Sequence, residues 1–549
     1  MQIKLENNLS RFVRMSILQK LPVISVAFFF AFIYPIQAQE TGDAFVTGSI
    51  SDARTLMPLL ASDSTSAEIC GMLFNGLVKY NKDIVLTGDL AESWEIRNDG
   101  QSIIFHLRHD VQWHDGQPFT ADDVAFTYQK LIDPKVRTAY SGDFERVEKL
   151  EILDSYTIKV TYKEPFAPAL SSWSMSMLPK HILEKLDLNT AEFARHPIGT
   201  GPYRFKSWAT QEKIELEANP AYFEKRPYID RYIHRVIADE STIFLELQTQ
   251  GLDSAGLTPL QFTRQTDTPV FKNNYQKYQL PSFTYIYLGY NLQSPLFQDV
   301  RVREALNYAV DKDEIIKILL LGYGKQATGP FIPDSWAYNQ NIKPVPFDPQ
   351  HAKELLREAG WSDYNSDKWL EKDGLKFEFT ITTNQGNQER IDAAQIIQRR
   401  LKEIGIKVRI KVLEWSVFID QCINKRNFDA VLLGWSLPRE PDNFDIWHSS
   451  KTKEGEFNFI GYKNTEVDFL LEEARSTFNL TKRAACYQRI QEILYAEQPY
   501  MFLYIPDSLS VLHKRFRGIK PAPIGIGYNF IEWWVPKEEQ RYNKPVIQQ

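Results

Sequence analysis

Indole rings at strand ends are the residues of this sequence best suited to chemistry, and the chemistry they suit is binding. Trp415 lies in the corner Glu414-Trp415, and Trp435 lies in the segment Gly434-Trp435-Ser436; each closes an apolar or alternating run that reads as a strand. A bare ring would expose on the order of 200 Å² to water, so a covered cleft or the core must take each one. A third strand end, Asn384 to Asn387, supplies amide and carbonyl groups beside them. Reactive constellations are poorly supported. The sequence has no G-x-S-x-G, no H-E-x-x-H and no S-x-x-K where it would serve, so neither a nucleophile nor a hydrolytic metal has a local motif. His106, His109 and His114 are close in sequence, but on an alternating strand the first two point to opposite faces, which discourages a shared ion. Gly199-Thr200-Gly201-Pro202 lacks the Lys-Ser/Thr ending of a phosphate loop and reads as a turn.

The elements that must hold those ends follow from periodicity. Phe377, Phe379 and Ile381 alternate as a strand; Ile391, Ala394, Ile397, Leu401 and Ile404 form a helical stripe that Gly405 stops. Ile406, Val408, Ile410 and Val412 alternate as the next strand, a short helix is expected over 416–425, and 430–434 is a third strand. This βαβαβ unit predicts an open, mostly parallel sheet, which binds ligands at its carboxyl ends. Elsewhere, Thr120 to Asp123 reads as a capping box, and Asp348-Pro349 starts a helix that Gly360 ends.

With 549 residues the chain needs two or three lobes, and 43% apolar with 24% charged residues describes a globular protein. A net charge of −6 offers no basic field for nucleic acid. Arg11, Arg14 and Lys20 precede an uncharged run from Leu21 to Ile36, and cleavage after Ala38 would make 1–38 a signal peptide. The alternative is an uncleaved anchor, although the sixteen-residue run is shorter than the roughly 20 needed to span a bilayer. No cysteine follows that run, which argues against a lipoprotein. Cys70, Cys422 and Cys486 have no metal or redox spacing and read as buried thiols, with at most one disulfide.

Longer stretches resemble a known family. They are Leu90-Ala91-Glu92-Ser93-Trp94 through Trp113-His114-Asp115-Gly116 to Asp122-Asp123-Val124, then Pro197 to Tyr203, Tyr290-Asn291 with Asp299 to Leu306, Phe347 to Trp361, and Gly434-Trp435-Ser436 with Glu440-Pro441-Asp442. In this order they are similar to the peptide/nickel-type extracellular solute-binding proteins, family 5, of ABC importers. The resemblance implies an α/β, two-lobed, hinged fold of the type II periplasmic-binding-protein kind, in its larger (cluster C) form. Lobe one would be 42–283 with an inserted subdomain at about 84–205, lobe two 284–511, and 512–549 a return to lobe one.

The same resemblance implies a site. Family members that bind peptides hold the ligand's amino group with an aspartate three residues after the Gly-Trp tryptophan, where this chain has Pro438. Asp442, then Glu440, are the nearest carboxylates that could replace it. Arg390 is the candidate partner for a ligand carboxylate, with a solvated or structural role as its alternative; Tyr285 and Tyr287 are expected at the hinge or the cleft. The expectation is therefore a periplasmic, monomeric peptide-binding protein, neither an enzyme nor a nucleic-acid binder, without cofactor or metal, that serves an ABC permease. Its ligand wall would be Trp435, Ser436, Trp415, Asp442, Asn384, Arg390, Tyr285 and Tyr287. Rival cargoes on the same fold are an oligosaccharide, haem or a metal chelate; a secreted hydrolase is the rival of another class.

Overall fold

The structure is a computed structural model and describes residues 39–97, 100–363 and 368–542. The expected leader and its cleavage point lie outside those residues. Two large sheets organise the rest. Seven strands run in the order Tyr275–Leu280, Ser508–His513, Ser254–Gly256, Ala44–Ser49, Arg231–Val236, Lys213–Ala218 and Tyr203–Ala209. Six run in the order Gly324–Gln326, Tyr500–Pro506, Thr284–Tyr290, Ala430–Ser436, Glu378–Asn384 and Lys407–Leu413. A separate antiparallel sheet of four strands lies between Ala91 and Tyr162. The chain passes from the seven-stranded to the six-stranded sheet after Leu280 and comes back after Pro506. The fold is therefore an α/β pair of lobes joined by two short crossings.

The βαβαβ unit is present, with Glu378–Asn384 paired in parallel to both Lys407–Leu413 and Ala430–Ser436. The sheet around it is not mostly parallel, contrary to expectation. Thr284–Tyr290, Tyr500–Pro506 and Gly324–Gln326 join antiparallel, because they enter from chain segments on either side of the unit rather than through its helical crossovers. Both faces of this sheet are covered. Along Thr284–Tyr290, Tyr285 and Tyr287 point into one core while Ile286, Leu288 and Tyr290 point into the other, as a two-residue period requires.

Local signals act where the sequence placed them. Asp123 accepts from the Thr120 amide at 3.0 Å and completes the capping box of the helix Ala121–Leu131. Asp348 caps the helix Pro349–Glu358, and Gly360 takes φ +91° beyond its end. Asn387 caps the helix Gln388–Glu403, and Gly405 ends it at φ +85°. The expected helix 416–425 is present as one α-helical turn, Trp415–Val417, continued by a π-helical segment, Phe418–Ile423, and it is broken at Arg426, which is left-handed at φ +54°. Gly199 and Gly201 have a packing reason, since a Cβ on either would collide with the backbone of Leu73. The three histidines serve separately: His106 lies 3.3 Å from Glu95, His109 stacks on Tyr156, and His114 is buried against the Gly199–Gly201 turn. Cys70, Cys422 and Cys486 are free and buried.

Candidate ligand-binding cleft

The carboxyl ends of the three parallel strands place Asn384, the Trp415 corner and Ser436 along one rim of the six-stranded sheet. Arg390 ties two of these ends together. Its backbone amide donates to the capping Asn387 at 2.8 Å, and its Nη1 donates to Asn384 Oδ1 at 2.9 Å. Its guanidinium also lies against Gly434, where an added Cβ would come within 2.6 Å of Ile286 Cδ1 and 3.1 Å of Arg390 Nη2, so both neighbours leave little room for a side chain before Trp435. Arg390 Nε has no hydrogen-bond partner, and burial holds the guanidinium below its usual pKa.

Trp435 is half-buried. Its Nε1 donates to the Tyr500 hydroxyl at 3.3 Å, its ring lies parallel to Tyr287 at 6.4 Å, and Phe457 meets it edge-on at 5.3 Å. Phe457 in turn meets Tyr140 edge-on at 5.7 Å, and Tyr140 packs on the core shared by the four- and seven-stranded sheets. An aromatic chain, Trp435 to Phe457 to Tyr140, therefore crosses from lobe to lobe. Trp415, also half-buried, packs on Phe418 and leaves its buried Nε1 without a partner. Ser436 is exposed. Tyr285 and Tyr287 lie fully inside, behind Trp435: Tyr287 stacks on Tyr500 at 4.0 Å, and Tyr285 packs on Tyr287 and Phe502 with its hydroxyl unpartnered.

Both carboxylates after Pro438 already have cations. Asp442 Oδ2 accepts from Arg475 Nε at 2.7 Å and Oδ1 accepts from the Phe444 amide at 3.1 Å, while Glu440 pairs with Arg483. Arg475 reaches further, to Asp143 of the opposite lobe, and its carbonyl accepts from the Ala167 amide at 2.7 Å. Ser172 donates to Asp143 Oδ2 at 2.6 Å, and Lys451 lies 3.7 Å from Asp445 and 3.9 Å from Glu145. Burial, reinforced by Asp143, pushes the Asp445 carboxyl up to about 7. Burial also works against the charge on Arg475, but Asp442, Asp143 and Asp445 outweigh it and raise its pKa. Arg54 and Asp420 form a second ion pair between the lobes.

Sequence reasoning missed these cross-lobe groups. Arg475 sits near the end of the helix Thr465–Ser476, where a basic residue has an ordinary reading as a solvated charge opposite the helix dipole. Among the described residues, no group of three or more His, Cys, Asp or Glu side chains could hold a metal ion.

Two α/β lobes, joined by paired crossings and in contact near strand ends, have the build of a hinged binding protein. The chain belongs to the bacterial extracellular solute-binding proteins, family 5, whose model matches residues 85–456. It is 36% identical to the oligopeptide-binding protein AppA of Bacillus subtilis, over 91% of this chain and 92% of that one. The structure of AppA in complex with a nonapeptide superposes with a TM-score of 0.86 at 34% identity, covering 91% of this chain and 100% of AppA. NikZ of Campylobacter jejuni, solved with Ni(L-His), superposes with a TM-score of 0.82 at 32% identity, covering 90% of this chain and 99% of that one.

Proposed function

We propose that this protein captures a short peptide between its two lobes and delivers it to the membrane permease of an ABC importer, without transforming it. The observation that carries this reading is the likeness, over nearly the whole chain, to an oligopeptide-binding protein solved with a nonapeptide in place. Lobe one is 42–283 with the inserted subdomain at about 84–205, and lobe two runs from 284 only to about Pro506 rather than to 511, because the strand Ser508–His513 lies in the seven-stranded sheet of lobe one. The peptide lies along the rim where Trp415, Trp435 and Ser436 offer ring faces and a hydroxyl, with Arg390 and Asn384 at one end for its carboxylate. Asp442 acts through Arg475, because both of its oxygens are engaged. Closure over the peptide marks the loaded form for the permease, since a ligand shifts the hinge only by binding the closed state more tightly.

The protein is exported through the leader 1–38, cleaved rather than lipid-anchored, and works as a periplasmic monomer; its net charge of −6 supports no role with nucleic acid. A second reading, a metal chelate of an amino acid, is favoured by the likeness to NikZ with Ni(L-His). Thermal shift of the mature protein against di- to nonapeptides, cello-oligosaccharides and nickel–histidine separates the readings. Stabilisation by peptides alone is expected; stabilisation by sugar or chelate without peptide would replace the cargo, and turnover of any compound would make the protein an enzyme.

A further inference from the structure

The Asn384–Asn387 loop and the helix it starts are docked on lobe one at a second place, away from Arg475. Gly386 fits so closely that a Cβ there would come within 2.9 Å of the Ala238 carbonyl and 3.2 Å of Ile50 Cβ. Two residues on, the amide of Gln388, the first residue of the helix Gln388–Glu403, donates to Glu240 Oε2 at 3.3 Å. Glu240 is itself the first residue of the helix Glu240–Gln248 in lobe one. A carboxylate from one lobe thus caps the helix of the other, satisfying an amide that has no partner within its own helix.

The same approach brings like charges together. Facing Glu240 from lobe two are Glu389 and Arg390 on the capped helix and Tyr504 on the strand Tyr500–Pro506; on its own element stands Asp239. Tyr504 donates to Glu389 Oε1 at 2.9 Å, so that carboxylate is fixed in place. Closing the cleft therefore takes Glu240 partly out of water and sets it beside a second carboxylate. We infer that Glu240 makes closure of the two lobes proton-linked: the closed form takes up a proton on this carboxyl, and rising pH opens the protein.

The direction follows from which state holds the proton more tightly. In the closed form, burial first and Glu389 second push Glu240 up to about 7, against the opposing pull of the Gln388 amide and Arg390. With the lobes apart the side chain returns to water and to an ordinary glutamate pKa of about 4.3. Closed and open forms then differ in bound protons between those two values. The closed-to-open ratio is greatest at the acidic end of the window, falls as pH rises through it, and levels off above about 8. Glu240 is well placed to tune release, because it touches the segment that also carries Asn384 and Arg390. The inference rests on the hinge alone and holds whatever the cleft carries.

The test needs no ligand. Dyes on E212C and K425C, exposed positions on the seven- and six-stranded lobes, report the closed-to-open ratio by single-molecule energy transfer in the ligand-stripped mature protein. Between pH 5.5 and 8.5 the parent ratio should fall about tenfold or more. E240Q keeps an oxygen for the Gln388 amide but cannot titrate, and its ratio should change by less than a third as much. E389Q should move the midpoint to lower pH. Melting curves at pH 7 confirm that both variants fold. A parent ratio that does not change with pH, or an E240Q response steeper than that limit, overturns the inference.

Discussion

Arg475 and Asp143 meet across the cleft, one from each lobe, and Asp442 holds the other side of the same guanidinium. Arg475 is 1% exposed and its ring neighbours Phe444 and Phe166 seal it, so the guanidinium is shielded from solvent in the closed form while Asp143 stays 24% exposed. Removing the cation leaves Asp143, Asp442 and Asp445 close together with only Lys451 and Arg146 nearby to balance them. R475M should lose about 3–5 kcal/mol, the usual cost of breaking a buried pair from one side. Chemical unfolding at pH 7 measures the loss. The gap to the parent should narrow as pH falls toward 5, because the stranded carboxyls can then protonate; a gap constant with pH would show that lost packing on Phe444, rather than charge, is responsible.

Arg390 offers a sharper test of the proposed peptide site. Its Nη1 is committed to Asn384 while the buried Nε is unpartnered, so a ligand carboxylate enclosed on closure would meet an edge of the guanidinium that lacks a hydrogen bond. R390M should weaken peptides with a free C-terminal carboxylate by about tenfold or more, the worth of a hydrogen bond to a charged group, and leave C-terminally amidated peptides unchanged. Titration calorimetry with the two peptide forms decides it. Equal losses on both would assign Arg390 to holding the Asn384 loop and Gly434 in place, with no direct contact to ligand.

His114 should shape the response of the folded protein to acid. Burial pushes its pKa down to about 4, although its hydrogen bond to the Gly201 carbonyl at 3.0 Å favours the charged ring. The unfolded chain binds a proton at this residue near pH 6.5, and the folded chain does not until about pH 4. Unfolded protein therefore carries more protons in that window, and His114 makes stability fall as pH drops from 6.5 to 4 by roughly 3 kcal/mol. H114N cannot titrate and should show a shallower decline over the same range in urea titrations. An unchanged slope would place the acid sensitivity elsewhere, His513 being the other buried histidine held near 4.

What the sequence disclosed and what it hid divide along one physical line. The βαβαβ unit, its stop at Gly405 and the strand-end position of Trp435 were legible, because each depends on neighbours within a few residues. The antiparallel half of that sheet was not, since Thr284–Tyr290 and Tyr500–Pro506 meet across more than 200 residues of chain. Asp442 and Glu440 read as free anchors for the same reason: nothing local shows that Arg475 and Arg483, from later helices, already occupy them. Glu240 and Gln388 lie 148 positions apart, and only the closed cleft makes them partners.

Gly386 joins the legible and the hidden. Its place in a turn was readable, and its φ of +86° explains a glycine there, but the structure adds a second demand, the fit against Ala238 and Ile50 of the other lobe. The two demands can be separated by state. Backbone strain from a side chain at positive φ, about 1 kcal/mol, burdens open and closed forms alike. Collision with the Ala238 carbonyl occurs only when the lobes close. G386A should therefore lower the stability of the ligand-free protein by about 1 kcal/mol and also weaken ligand binding by about tenfold, one further 1.4 kcal/mol. Comparing melting in the absence of ligand with the shift produced by a peptide pool measures both terms. A variant that loses stability but binds as the parent does would show that the loop is not pressed against lobe one in the loaded protein.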